Sequence, residues 1–261
     1  MLDKLNVTAN GQLQAPMEPG YAAFKGAFGG WTAAHALLAA QSQVSVELQP
    51  AALSIDFLGA VGPGQVTSTP TLGQATRSAH FVSVQTAQLA TPRANTSVLL
   101  ALRRPTERID AVTMPACPPA ADLPRWTIDT GPNTWVQRFE MRCAHGRLLT
   151  PNVGLRSLTW TRLDDTSPSH HATVAAMADA SFPRIYFHFA QVTPIATVTM
   201  SVHFHADEAE LADALSDFVL VEASGHAARH GFFDQHVRIW SGAGALLATS
   251  TQLARYDLGA R

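Results

Sequence analysis

The chain is 261 residues long, with 46% hydrophobic residues, 15% charged residues and a formal net charge of -2. That composition excludes a disordered chain and leaves room for one large domain or two of ordinary size. It carries no basic surplus, so neither nucleic acid nor an anionic membrane surface is expected as a partner.

The amino terminus, Met1-Leu2-Asp3-Lys4-Leu5-Asn6, lacks the long apolar core of a signal peptide. The most apolar early run, 33–40, contains His35 and is too short to span a bilayer. The expected location is the cytoplasm. Cys117 and Cys143 are the only cysteines and form no CxxC pair, which reads as two inert thiols in a reducing compartment.

The first predicted element is a small-residue helix over 29–40, Gly29-Gly30-Trp31-Thr32-Ala33-Ala34-His35-Ala36-Leu37-Leu38-Ala39-Ala40. It is apolar on nearly every side, so it should be buried all round. Strand-like alternation follows over 53–58, 81–85 and 97–102, with Gly59, Gly62, Pro63 and Gly64 as breakers. The Pro-rich run 114–124 can hold neither a regular helix nor a central strand. It reads as the start of a linker, 114–130, between an N-terminal half, 1–113, and a C-terminal half, 131–261. Each half, at about 110–140 residues, is a plausible domain size.

The second half repeats the plan. Residues 135–142 form a strand candidate. Ser167 is the expected N-cap of a helix, with Pro168 at its first position. The helix runs over 173–180 and stops before Pro183. Strands are expected at 197–205, 218–223, 232–240 and 246–256. Each half is thus one apolar helix followed by antiparallel strands. The expected fold is α+β, a double hotdog in which two antiparallel sheets each wrap a central helix and pair into one continuous sheet of strands.

Gln252 is a lone amide in a run of small and apolar residues. Buried without partners it would cost roughly 1–3 kcal/mol, so it either serves a polar site or faces water. His203 and His205 lie two apart on a strand with Glu210 beyond, and two histidines with one carboxylate can hold a transition metal. His226 and His230 are a possible further contribution. The alternative for all of them is a set of polar-face histidines, and His170-His171 is expected in a solvated loop.

With these elements in order, the chain resembles the type II acyl-CoA thioesterases, a double-hotdog family. The resemblance rests on Phe28-Gly29-Gly30 opening the first helix, Ala178-Asp179-Ala180 late in the second, the stretch 196–205, and the stretch 244–252 ending at Gln252. It implies hydrolysis of an acyl-CoA to a carboxylic acid and free CoA. Asp179, Thr197 and Gln252 would hold the attacking water, without metal or other cofactor. Phe28, Gly29 and Gly30 would lie against the substrate. As a pair at a helix start, Gly29 and Gly30 either present N–H groups to the thioester carbonyl oxygen or serve only close packing. Strict alternation raises a difficulty: it puts Thr197 on the face opposite Met200 and Val202, away from the helix carrying Asp179, unless the strand bends or bulges. Two other functions compete: non-catalytic binding of an acyl-CoA or lipid, and a metal-dependent reaction at His203 and His205. A homodimer or larger assembly is expected.

Overall fold

The computed structural model describes residues 5–127, 131–151, 154–164 and 167–257. Alternating apolar and polar residues produce strands in both halves. The first half contains β1 (Asn6–Val7), β2 (Leu13–Met17), a small hairpin β3 (Ala22–Ala23) and β4 (Gly26–Ala27), helix α1 (Gly29–Gln41), and β5 (Leu48–Phe57), β6 (Gly64–Ala75), β7 (Ala79–Gln88) and β8 (Thr91–Leu102). The second contains β9 (Phe139–His145), β10 (Ser157–Leu163), α2 (His170–Asp179), β11 (Ile195–Phe204), α3 (Glu208–Ala214), β12 (Val219–Ser224), β13 (Ala228–Arg229), β14 (Phe232–Trp240) and β15 (Leu246–Tyr256).

The two sheets join edge to edge, as the double-hotdog expectation had it. The strands merge into one antiparallel sheet in the order β1-β2-β6-β7-β8-β5-β11-β15-β14-β12-β10-β9, with β13 paired to β14. The junction is β5 against β11, where Asp56 pairs with Thr199 and Ala52 with His203. Pairing these two strands leaves no open edge between the halves, where unpaired backbone groups would otherwise invite other strands. Helix α1 packs on strands β2 and β5–β8, and α2 on β11, β14 and β15. The two helices also pack on one another.

Alanine explains that helix pairing. Ala33, Ala34, Ala36, Ala39 and Ala40 of α1 and Ala172, Ala175, Ala176 and Ala178 of α2 are all buried, so neither helix has a solvent face. A Cβ on Gly30 would stand 2.6 Å from the Ala176 carbonyl oxygen, so α1 and α2 approach closely only because that side chain is missing.

Several local expectations change. The cap of α2 is Ser169, whose hydroxyl accepts from the Ala172 N–H, rather than Ser167. The strand expected from Trp135 begins at Phe139, after a 3-10 turn over Thr134–Arg138. His171 is not in a solvated loop. It is fully buried in α2, with Nδ1 2.7 Å from Glu208 Oε2.

The Pro-rich segment packs onto the outer face of the C-terminal strands. Met114, Cys117, Ala120 and Leu123 lie on Leu158, Trp160, Phe218, Leu220 and Trp240. Trp160 Nε1 donates to the Pro118 carbonyl at 2.8 Å, and Arg142 donates to the carbonyls of Ala120 and Leu123. These strands are covered on both faces, which accounts for their near-continuous burial. Among the described residues no helix is long and apolar enough to cross a membrane.

Candidate active site

Helix α2 ends at Asp179 and α1 begins at Gly29, and the two ends meet. The Gly30 N–H donates to Asp179 Oδ2 at 2.8 Å. The carboxylate therefore sits at the unfavourable end of its own helix dipole and the favourable end of its neighbour's. Burial pushes the Asp179 carboxyl up to about 7, while the Gly30 N–H and the Gln252 amide pull it back. The surface it still exposes faces an internal cavity. Gly29 is required beside it, because a Cβ there would fall 2.7 Å from Asp179 Oδ2 and 3.2 Å from the Phe57 ring.

Gln252 is buried, which answers the question the sequence left open. Its Nε2 donates to the Ala178 carbonyl at 2.9 Å and lies 3.4 Å from Met200 Sδ. The amide thus satisfies one orphan carbonyl of the last turn of α2 and fixes β15 against the residue preceding Asp179.

Thr197 reaches the same place through a bulge. The pairing of β11 with β15 shifts between Thr197, opposite Ala254, and Thr199, opposite Leu253. The extra residue, Val198, resets the alternation, and both Thr197 and Val198 line the cavity. Beyond the bulge the pattern is regular, with Met200, Val202 and Phe204 inside and Thr199 and His203 exposed.

Asp179, Thr197 and Gln252 line one cavity of about 1000 Å³ at the seam between the halves. Its walls are largely apolar and include the aromatic residues Phe24, Phe57, Trp126, Trp135 and Phe182. Phe28 also lines it and stacks on Trp135, with ring centroids 4.4 Å apart. Gly29 is at the wall, whereas Gly30 is buried behind it with its N–H committed to Asp179. The expectation that both glycine N–H groups face a substrate oxygen therefore reduces to Gly29.

One residue that the sequence did not single out belongs here. Ser181 lines the cavity two positions after Asp179, and its buried hydroxyl has no partner among the described residues. A serine after a helix end carries no signal in one dimension. The buried cation Arg184 was also missed. It donates to the Phe182 and Ala223 carbonyls, Ser157 Oγ and Gln235 Oε1, and Gln235 pairs across strands with Gln252. Burial without a carboxylate lowers the Arg184 guanidinium to about 9.

The proposed metal ligands do not converge. His205 Nε2 lies 3.2 Å from Thr249 Oγ1 on the exposed side of β11. Glu210 forms a capping box with Asp207 at the start of α3, each accepting the other's backbone N–H at 2.9 Å. The Asp207-x-x-Glu210 spacing was therefore a helix-start signal. His226 instead pairs with Asp234, which also meets His236. These three are the one group of potential metal ligands among the described residues, and they lie outside the cavity lining.

Family models match both halves: the acyl-CoA thioesterase N-terminal domain over residues 18–101, and the acyl-CoA thioesterase C-terminal domain over residues 114–256. No curated protein shows significant similarity to the chain. Among solved structures, a conserved hotdog-fold protein of unknown function from Alicyclobacillus acidocaldarius is 29% identical, with a TM-score of 0.92 over 99% of this chain and 97% of that one. A putative thioesterase II from Thermobifida fusca is 18% identical, with a TM-score of 0.84 over 98% and 96%. The acyl-CoA thioesterase II TesB2 of Mycobacterium marinum is 19% identical, with a TM-score of 0.76 over 98% and 97%. At those identities the last two speak for the fold alone, a hotdog architecture. The two family matches together span most of the sequence, and the chain belongs to the acyl-CoA thioesterase family.

Proposed function

We propose that the protein hydrolyses the thioester of an acyl-CoA to a carboxylic acid and free CoA, with Asp179 as general base. The observation that carries this reading is the convergence of Asp179, Thr197 and Gln252 on one apolar cavity, with the carboxyl held near neutrality. A base whose pKa lies close to working pH is suited to taking a proton from water.

The acyl chain lies along the aromatic walls, and the thioester carbonyl oxygen faces the Gly29 N–H. That N–H has no partner among the described residues. A water molecule is held by Asp179, the Thr197 hydroxyl and Gln252. The hydroxyl suits this because it both donates and accepts. The water oxygen attacks the carbonyl carbon, its proton passes to Asp179, and a tetrahedral oxyanion forms. Collapse breaks the carbon–sulfur bond, and Asp179 returns the proton to the departing sulfur. A thiol pKa near ~8.5, by analogy with cysteine, makes this a good leaving group, so no covalent nucleophile is needed.

The test is release of free CoA thiol from short, medium, long and aromatic acyl-CoAs. Turnover on at least one class, lost in Asp179→Asn, is the expected result. Binding of every ester without thiol release would refute hydrolysis and leave a non-catalytic acyl-CoA carrier.

A further inference from the structure

The cavity has a polarity beyond its reacting end. Its single acidic lining residue is Asp179, at the helix ends. Its three cationic lining residues, Lys25, Arg147 and Arg255, are all exposed. They come from separate elements. Lys25 occupies the turn between β3 and β4, Arg147 follows β9 behind Gly146, and Arg255 is near the end of β15. None makes an ion pair with a described acidic residue, whereas Arg125, Arg142, Arg156, Arg162 and Arg238 all do. The whole chain carries a net charge of -2, so three unneutralised cations around one cavity are a local feature and not a basic surface.

An interior that is apolar and a rim that is cationic match a ligand with an uncharged reactive end and a polyanionic far end. An acyl-CoA has this form: its phosphates lie on the part of the carrier remote from the thioester. Arginine pairs with phosphate oxygens in a bidentate fork, and lysine acts as a point charge. Resting on the thioesterase reading for the orientation of the ligand, we propose that Lys25, Arg147 and Arg255 form a phosphate-binding rim for the CoA portion of the substrate.

The test compares wild type with the triple variant Lys25→Gln, Arg147→Gln, Arg255→Gln. Because the residues are exposed, thermal unfolding verifies that the variant is folded. Calorimetric titration with free CoA reads the rim without any turnover. The expected result is an affinity roughly tenfold weaker in the variant, with wild-type affinity falling as salt rises, as for several exposed charge pairs. Equal affinity in the two proteins, or no CoA binding by wild type, overturns the rim.

A second arm measures kcat/KM on an acyl-CoA and on the N-acetylcysteamine thioester of the same acid, which lacks phosphates. The CoA-to-truncated ratio should fall by roughly the same tenfold factor, through KM. An unchanged ratio overturns the rim while hydrolysis stands. Rim-dependent CoA binding without hydrolysis of either thioester keeps the rim and removes the hydrolytic reading.

Discussion

Replacing Asp179 with asparagine should abolish turnover and remove a stability penalty that the wild type carries at alkaline pH. The folded-state pKa is raised from 3.8 to about 7 by burial. The folded protein therefore prefers the protonated carboxyl. Below pH 3.8 the group is neutral in both folded and unfolded chains and imposes no penalty. Between 3.8 and about 7 stability falls with each step in pH, and above that the penalty is complete. At 1.36 kcal/mol per pKa unit the ceiling is about 4 kcal/mol. The part realised is smaller, about 2–4 kcal/mol, because the carboxyl keeps some contact with the cavity. Asparagine removes this pH-dependent penalty. It retains an oxygen for the Gly30 N–H but adds an NH2 group to a site built for acceptors, at a pH-independent loss of about 1–3 kcal/mol. Relative to wild type, the variant should be less stable at pH 4, and the difference should move in the variant's favour by about 2–4 kcal/mol between pH 4 and pH 8. Denaturant unfolding of both proteins at the two pH values measures the change, and all other titrating groups cancel in the comparison. A difference independent of pH, or one that shifts against the variant as pH rises, would refute the idea of a strained, desolvated carboxylate.

The remaining predictions concern the same site. The kcat/KM of wild type should rise with pH and level off above about 7, since the ionised base is the active form; a profile flat across that range would remove Asp179 from the proton transfer. Gln252→Leu deletes a group that favours the ionised carboxylate, so the midpoint of that profile should move upward as kcat falls by about 10- to 1000-fold. A fall in rate with an unmoved midpoint would separate the amide from the base. Gly29→Ala places a methyl 2.7 Å from Asp179 Oδ2 and should lower kcat with a modest loss of stability. Gly30→Ala meets the Ala176 carbonyl at 2.6 Å, forces the helices apart, and should lower the unfolding free energy by about 1–3 kcal/mol. Thermal unfolding and kinetics on the pair distinguish the two roles; equal effects on both readouts would contradict the assignment.

The juxtaposition of two helix ends gives the site its chemistry. Seen alone, α2 offers Asp179 a repulsive dipole. The N-terminus of α1 opposes that repulsion and supplies a hydrogen bond, leaving the loss of solvation as the dominant influence. A carboxyl with a pKa of about 7, whose ionised form is a stronger base than an ordinary aspartate and is held by a backbone donor, is the result.

The sequence by itself determined the buried helices, because an all-round alanine surface has no other stable place than between packed layers. It also determined most of the strands, through alternation such as that of 53–58 and 246–256, and it singled out Gln252 as an amide in apolar company. Tertiary structure alone decided the rest. One bulged residue, Val198, breaks the register beside Thr197, which lines the cavity, and no local rule marks that shift. Which strands join the two halves, β5 with β11, was decided there too, by a contact between segments about 150 residues apart whose edges carry no sequence label. Gly29, Gly30 and Asp179 become neighbours only when two helices from different halves meet end to end. Periodicity reports which face of an element is apolar; which other element that face will meet depends on the packing of the whole chain.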